Sequence, residues 1–465
     1  MRRNARRLPE LRAAILLAWV LAGMGGCSRL RPYESPGGQQ PWQDPRPPRN
    51  SLAERAAGFQ KQIACYHRTK SGVLRYRRAV FKSQASPLSP YGDLADGSFH
   101  TGIYLASQAL RYQVTRFPEA LDELRHALSG LEVLMAVTGK PGLLSRHVSP
   151  AATVAKLPAE KWRCSTALPE YVWRGDVSKD QYAGFVHGLG VALAFAPDQD
   201  VRDRVGALAG AAADHLRENA LRIIETDGRQ TTYGDLRGSM FGIPKGVDAL
   251  ICLAIAKVAA VSTGEERHRE FYESLVSRGY PNLAYWTYLP GVTKRVNDHM
   301  GFLALYPLLL LEENPEIVET LRVGARRSWG YMADERNAFF AFIHAGVVGE
   351  ENRGAPGDFA GDAGAVARGR SAIAEFPSDK VEWPVDLTRP GFGLERLFFN
   401  DGSGHPRSRE SVPLYLRVRS SSIWAGDPYR MVGRIGRHGE VENSGADYLV
   451  AYWLGRHHGF IASDE

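Results

Sequence analysis

Carboxylates stand just before, or at the start of, a series of apolar segments along this 465-residue chain. The densest case is 174–191, RGDVSKDQYAGFVHGLGV, where a polar loop with Asp176 and Asp180 runs directly into small and apolar residues. Asp235 and Asp298 hold similar positions before later apolar segments. Two carboxylates can share acid–base work, one donating a proton while the other acts as base or nucleophile. We therefore predict Asp180 and Asp298 as the reacting pair, with Asp176 and Asp235 as further catalytic candidates.

Aromatic and polar residues accompany these carboxylates in the same loops. Aromatic rings offer flat apolar faces that suit the hydrocarbon faces of sugars. We predict an oligo- or polysaccharide partner and no cofactor, with contacts from Asp96, Trp173, Arg174, Tyr182, Tyr233, Trp286 and His299. Two plainer readings stay open. Asp before a helix is a good N-cap and suits the helix dipole, and exported helical proteins bury many aromatic residues without any ligand.

A different chemistry is suggested by Asn297-Asp298-His299, with Tyr288 and Arg295 nearby. Asn or Arg could neutralise a uronate while His or Tyr abstracts a proton, as in polysaccharide lyases. An ordinary histidine at a helix start explains His299 as well. Arg174, Lys179 and Arg237 could likewise hold a sugar carboxylate or simply pair with Asp in the same loops.

The net charge of +7 owes much to the N-terminus, where Arg2, Arg3, Arg6, Arg7 and Arg12 cluster. The rest of the chain is only mildly basic, and no Lys/Arg block alternates with aromatic residues, so we expect no nucleic-acid partner. No two Cys or His lie at the spacing of a zinc site, and we predict no metal.

The N-terminal charges are followed by an uncharged apolar run, 13–26, that ends at Cys27. The run LAGMGGC resembles a bacterial lipobox, with Met24 in place of the usual Leu. It predicts a lipoprotein-type signal peptide over 1–27, lipidation of Cys27, and anchoring to a membrane of the bacterial cell envelope, whereas a plain signal peptide or an uncleaved anchor stays open. Residues 28–50, rich in Pro and Gly, predict a disordered tether to a folded domain over 51–465.

The remaining cysteines are Cys65, Cys164 and Cys252. Cys252 lies inside an apolar helical segment, so Cys65 with Cys164 is the candidate for a disulfide bond in an exported protein. We expect a monomer.

Apolar segments without a polar face alternate with segments that carry a single apolar stripe. The first kind covers 98–114, 178–196, 247–261 and 298–311, and the second covers 118–137, 201–216, 265–276 and 315–329. Buried helix followed by surface helix, four times, predicts an all-α fold that closes into an α/α toroid of inner and outer helices. A fifth inner helix is predicted over 338–348, and 444–461 is predicted to close the ring within an irregular C-terminal portion.

On this plan, and on the phrases DGSFHTG (96–102), GKPGLLSR (139–146) and SKDQYAGFVHGLG (178–190), the stretch 52–346 resembles the six-hairpin glycosidase-like superfamily. The resemblance implies a carbohydrate-active enzyme, and we expect a glycoside hydrolase. The alternatives are a polysaccharide lyase on the same fold and a non-catalytic glycan-binding or scaffold lipoprotein. Because the starts of inner helices converge at one end of such a ring, we expect the acids, with Asp447 among them, to line one funnel.

Overall fold

The computed structural model describes residues 47–78, 96–157, 159–196, 198–289, 294–348, 362–382, 385–387, 396–397, 406–433 and 441–465. The predicted signal peptide, with Cys27, and the predicted tether up to residue 46 lie outside the described residues.

Twelve α-helices in the described part of the chain form two concentric layers. The inner helices are α2 (Gly97–Thr115), α4 (Lys179–Phe195), α6 (Gly246–Thr263), α8 (Arg295–Leu311), α10 (Ala338–Ile343) and α12 (Ala446–His457). The outer helices are α1 (Leu52–Gln62), α3 (Pro118–Ala136), α5 (Gln199–Glu218), α7 (Glu266–Ser277), α9 (Pro315–Met332) and α11 (Ala363–Ala374). Each inner helix packs against the next, and α12 packs against α2, so the inner layer is a closed ring. The predicted all-α toroid is confirmed.

The inner helices are buried nearly all round because they carry almost no charged residues beyond their first turns. Helix α6 is apolar and long enough to cross a membrane by length and composition, yet most of it is buried inside the ring. The outer helices are amphipathic and bury one stripe, as in α5, where Val201, Val205, Leu208 and Leu216 face inward. Helices that are apolar all round therefore form the inner layer, and helices with one apolar face form the outer layer.

Glycines set the closest helix contact in the ring. A Cβ atom on Gly184 of α4 would lie 2.5 Å from the carbonyl oxygen of Phe99 in α2. A Cβ on Gly188 would lie 2.4 Å from the carbonyl oxygen of Gly102. Real Cβ atoms do not come this close to a carbonyl oxygen, so the two backbones can touch only because these positions lack side chains.

The ends of the folded part meet and close the outer layer. The backbone N–H groups of Leu52 and Ala53 donate to the carbonyl oxygen of Glu465 at 2.6 and 3.3 Å. The hydroxyl of Tyr448 in α12 donates to the carbonyl oxygen of Leu52 at 2.8 Å. Helix α12 is therefore the sixth inner helix, and α1, the first helix of the chain, covers it.

Short strands fill the loops at the ring ends. They are β1 (Arg77–Arg78), β2 (His147–Pro150), β3 (Trp162–Cys164), β4 (Tyr171–Arg174), β5 (Arg222–Ile224), β6 (Gln230–Asp235), β7 (Ser239–Met240), β8 (Ile243–Pro244), β9 (Val385–Asp386), β10 (Arg396–Leu397), β11 (Arg407–Ser408), β12 (Val432–Gly433) and β13 (Val441–Glu442). The largest sheet is antiparallel with the order β2-β4-β3. The C-terminal loops build a small apolar cluster of their own around Val412, Leu416 and Met431. This is the irregular C-terminal portion expected from the sequence.

Asn314 caps α9 by accepting from the N–H of Glu316 at 2.9 Å, directly before Pro315. Two local predictions have definite outcomes. The predicted fifth inner helix is present as α10, which continues into a π-helical turn, His344–Val348. The predicted disulfide bond is wrong, because Cys65 and Cys164 are both free and exposed.

Candidate functional site

A cavity of about 280 Å³ lies where three inner helices begin. Helix α2 contributes Asp96, Phe99 and His100, α4 contributes Asp180, and α8 contributes Val296, His299 and Met300. The remaining wall comes from the C-terminal loop segment 417–430. The convergence of helix starts that the toroid implies is thus present for α2, α4 and α8. The volume of the cavity is near the lower end of the range for ligand pockets.

Two carboxylates in this cavity share one amide group. The Nε2 of Gln181 donates to Oδ1 of Asp96 at 2.8 Å and to Oδ2 of Asp180 at 3.3 Å. Since both oxygens bond the same nitrogen, the two distances together limit their separation to about 6 Å. The Oε1 of Gln181 accepts from the backbone N–H of Phe99 at 3.2 Å, which fixes the orientation of the amide and keeps its two N–H bonds facing the carboxylates.

Arg146 completes the connection between the two carboxylates. Its Nη2 donates to Oδ1 of Asp96 at 2.8 Å, and its Nη1 donates to the hydroxyl of Ser178 at 2.8 Å. That hydroxyl in turn donates to Oδ1 of Asp180. Asp96, Arg146, Ser178, Asp180 and Gln181 therefore form a closed circuit of hydrogen bonds, which we call the carboxylate circuit.

The strand β4 places Arg146 between the two helix starts. The backbone N–H of Arg146 donates to the carbonyl oxygen of Arg174 at 2.9 Å, directly before β2 pairs with β4. The N–H of Ser98, at the start of α2, donates to the carbonyl oxygen of Arg146 at 3.3 Å. The sheet thus holds one residue against both α2 and the loop that leads into α4.

The apolar floor of the cavity contains two neutral histidines. Phe99 and Phe339 lie edge-on to the ring of His299, with centroids 5.8 and 5.5 Å away. Burial lowers the pKa of His299 to about 3, and burial also lowers the pKa of His100, against the opposing effect of the Asp96 carboxylate. Within the described residues, no hydrogen bond reaches either ring, so both offer their nitrogen atoms to the cavity.

The wall formed by 417–430 is polar and carries both signs of charge. It presents Arg417, Arg430, the serines at 420–422 and Asp427. Asp427 accepts from Nη2 of Arg407 at 2.8 Å and from the N–H of Tyr429 at 3.0 Å. The third carboxylate of the cavity therefore already has partners outside the carboxylate circuit.

Asp298, predicted as half of the reacting pair, does not line this cavity. Helix α8 begins at Arg295, one turn earlier than the sequence suggested, so Asp298 lies within the helix and is fully buried. Nη1 of Arg295 donates to Asp298 at 2.7 Å, and Nη2 donates to Glu335. Burial raises the pKa of Glu335 to about 7. Asp298 belongs to this buried ion-pair group, and we therefore drop it from the reacting pair.

The two other predicted catalytic acids are engaged in loop structure. Asp176, whose φ of 52° is in the left-handed region, accepts from the N–H and hydroxyl of Thr232 at 2.8 and 3.0 Å. Asp235 accepts two bonds from the guanidinium of Arg237, which hold the pKa of Asp235 well below its usual range. Neither lines the cavity, so we drop both as catalytic candidates.

The four aromatic residues predicted to contact a saccharide also lie outside the cavity. Tyr182 is fully buried, and its hydroxyl donates to the carbonyl oxygen of Gly142 at 2.8 Å. Trp173 is buried in β4 beneath the guanidinium of Arg163, 5.0 Å from the ring centroid. Tyr233 is exposed on β6, and Trp286 ends the short 3₁₀ turn Pro281–Trp286, half-buried. Burial and bonding within the fold account for Tyr182 and Trp173, and none of the four lines the cavity.

The basic residues predicted to hold a sugar carboxylate have other positions. Lys179 pairs with Asp248 of α6 at 2.8 Å, Arg237 pairs with Asp235, and Arg174 ends β4. Of the predicted residues, the cavity presents Asp180, Asp96 and His299.

Arg146 and Gln181 were not predicted as site residues, although both lie in the phrases that carry the family resemblance. DGSFHTG begins with Asp96, GKPGLLSR ends with Arg146, and SKDQYAG contains Ser178, Asp180 and Gln181. The convergence of three separated polar phrases was the available signal. Among the described residues, no group of three or more His, Cys, Asp or Glu side chains could hold a metal ion.

The fold and the cavity together define an all-α toroid with a carboxylate pair at the starts of its inner helices. No protein family and no curated protein matches the sequence. Solved structures do match over most of the chain.

Three of these structures cover 88% of this chain and 99% of their own. They are an α-1,6-mannanase from Salegentibacter sp. (9% identity, TM-score 0.42), a sugar epimerase from a ruminal bacterium (10%, 0.44) and a cellulase of C. cellulolyticum (8%, 0.42). At such TM-scores the similarities carry no argument about activity, and the fold rests on the helix packing described above.

Proposed function

We propose that this protein is a glycoside hydrolase whose reacting pair is Asp96 and Asp180. The observation that carries the proposal is the Gln181 amide, which holds one oxygen of each carboxylate within about 6 Å of the other on the wall of a cavity. Glycoside hydrolysis requires two carboxyl groups on either side of the scissile bond. The aromatic and apolar floor of the same cavity offers a face for the sugar ring.

The partners of the two carboxylates suggest their roles. Asp96 accepts a charge-assisted bond from Arg146 and suits the role of nucleophile, which requires a carboxylate. Asp180 accepts only from neutral donors, the Ser178 hydroxyl and the Gln181 amide, so of the two it is the better candidate for proton donor to the leaving oxygen. Retaining enzymes separate the two groups by about 5–5.5 Å and inverting enzymes by about 6.5–9.5 Å. The separation here favours retention of anomeric configuration.

The test is hydrolysis of a panel of oligosaccharides and aryl glycosides by the purified protein and its variants. Asp96→Asn should lower kcat by about 10³-fold or more on every cleaved substrate. Asp180→Asn should lower kcat/KM strongly on natural glycans but only slightly on aryl glycosides with good leaving groups, because departure of these leaving groups needs no proton donor. Asp122→Asn, on the outer helix α3 with a side chain 76% exposed, is the control and should change nothing.

Three outcomes would overturn the proposal. Full activity of both Asp96→Asn and Asp180→Asn would remove the pair from catalysis. A product with a new double bond, seen by its ultraviolet absorbance, would make the protein a lyase, in which the neutral His299 could act as base. Tight glycan binding without any cleavage would favour a binding or scaffold protein.

We also propose that the protein is anchored in the cell envelope by a lipid on Cys27. Cells that express the protein should incorporate radiolabelled palmitate into it, and Cys27→Ala should abolish this incorporation.

A further inference from the structure

The cavity wall formed by 417–430 carries a guanidinium that the fold leaves available. The Nε of Arg430 donates to the carbonyl oxygen of Val432 at 2.7 Å, which fixes the direction of the side chain. Within the described residues, no carboxylate lies within ion-pairing distance of Arg430. Its terminal N–H groups are thus free to bind a ligand in the cavity that it lines.

Arg417 adds a second positive charge to the same wall. It is only 6% exposed, and its Nε and Nη2 donate to the carbonyl oxygens of Val412 and Glu335 at 2.8 and 2.7 Å. Burial lowers the pKa of Arg417 to about 10, so the side chain still carries its charge at neutral pH. A buried cation beside a cavity favours a ligand of opposite charge.

Ser422 supplies an unused hydroxyl. This side chain is 7% exposed and lines the cavity, and within the described part of the chain its Oγ has no hydrogen-bond partner. A buried hydroxyl without a partner costs free energy unless a ligand or a water molecule bonds to it. Rotation about its Cα–Cβ bond would turn this buried hydroxyl toward the cavity, where it would be a second polar group for the same ligand.

The acids that line the cavity leave Arg430 without an ion pair among the described residues, whereas Arg417 lies near the carboxylates of Glu335, Glu375 and Asp427. Asp96 and Asp180 are held in the carboxylate circuit with Arg146, and Asp427 pairs with Arg407. One wall of the cavity therefore carries carboxylates that already accept hydrogen bonds. The other wall carries Arg430 and Ser422, whose terminal N–H groups and hydroxyl have no partner among the described residues.

We propose that Arg430, Ser422 and Arg417 form a subsite for the carboxylate of a uronic acid, so that the substrate is an acidic glycan. The inference rests on the proposed function and adds the substrate class. The planar guanidinium of an arginine presents parallel N–H groups that match the two oxygens of a carboxylate, which distinguishes it from a lysine at the same place.

The test compares binding of uronic-acid oligosaccharides with binding of the same oligosaccharides after chemical reduction of their carboxyl groups. Binding is measured by calorimetry on the Asp180→Asn protein, so that cleavage does not interfere. Arg430→Gln should weaken binding of the acidic form about 10- to 100-fold and leave the reduced form within about twofold. Ser422→Ala should give a smaller loss in the same direction. Arg202→Gln, an exposed arginine on α5, removes the same charge from the surface and should change neither.

Equal binding of the acidic and reduced forms by the parent protein, or equal losses on both forms in Arg430→Gln, would overturn the subsite. An Arg430-dependent preference for sulfated over carboxylated glycans would overturn the uronic-acid assignment. Arg430-dependent binding of uronic-acid oligosaccharides that the parent chain never cleaves would support the subsite and overturn the hydrolase proposal, which separates the failure of one from the failure of the other.

Discussion

Gln181 shows at the scale of a residue how two acidic side chains can be held close together. Its amide has two N–H bonds, one for each carboxylate, and its oxygen accepts from Phe99 and so fixes which side faces Asp96 and Asp180. Without these donors, the two carboxylates would repel one another at a separation of about 6 Å or less. Gln181 is a positioning residue in our proposal, because it acts through the carboxylates.

Replacing Gln181 by Met keeps the volume and removes both donors. We expect kcat to fall about 10- to 100-fold with little change in KM, because both carboxylates lose the donor that fixes their positions. Steady-state kinetics measures this. Gln199→Met, at an exposed position that begins α5, is the control. An unchanged kcat with a merely lower stability would show that Gln181 is only structural.

At the scale of the elements, the contact between α2 and α4 determines where the carboxylates can meet. Gly102, Gly184 and Gly188 let the two backbones touch within three turns of the helix starts that carry Asp96 and Asp180. A wider spacing of these helices would separate the carboxylates as well.

Gly184→Ala should therefore destabilise the protein by about 1–3 kcal/mol and lower activity, because the new methyl group meets the backbone of Phe99. Urea denaturation followed by circular dichroism measures the change in the free energy of unfolding. Gly330→Ala, in the outer helix α9 with no atom within 4 Å of the added Cβ, is the matched control and should stabilise by about 0.5–1 kcal/mol. Equal stability of both variants would refute the packing argument.

At the scale of the whole molecule, the closed ring buries histidines that stay neutral. Burial lowers the pKa of His187 and His344 to about 4, and that of His147, His299 and His458 to about 3. Histidine in an unfolded chain has a pKa of about 6.5. Below that pH these histidines bind protons in the unfolded chain but stay neutral in the folded protein. Their contribution to the free energy of unfolding is therefore complete above pH 6.5 and is lost as the pH falls toward about 4.

We expect the free energy of unfolding to fall between pH 6.5 and about 4, by up to about 1.4 kcal/mol per pH unit for each fully buried histidine. Thermal or urea unfolding at a series of pH values measures this. His187→Gln should reduce the slope by about one proton. A melting temperature that stays constant from pH 7 to pH 5 would contradict the expectation.

The sequence by itself determined the two layers of helices. The positions of α2 to α9 follow from apolar residues that either surround a segment or form one stripe, which is a local property with a period of 3.6 residues. The ring itself was also foreseeable, since inner helices without a polar face must be covered on all sides. The C-terminal loops carry no such period, and their course was not predicted beyond being irregular.

Only the tertiary structure decided which polar residues share the site. Asp180 and Asp298 look alike in sequence, since each carboxylate stands at the start of an apolar helix. The structure turns Asp298 into a buried partner of Arg295 and brings Asp96 to Asp180 through Arg146 and Gln181. These bonds join residues up to 85 positions apart. The pattern around one residue fixes the helix on which it lies, but the partner of its side chain depends on how distant helices meet.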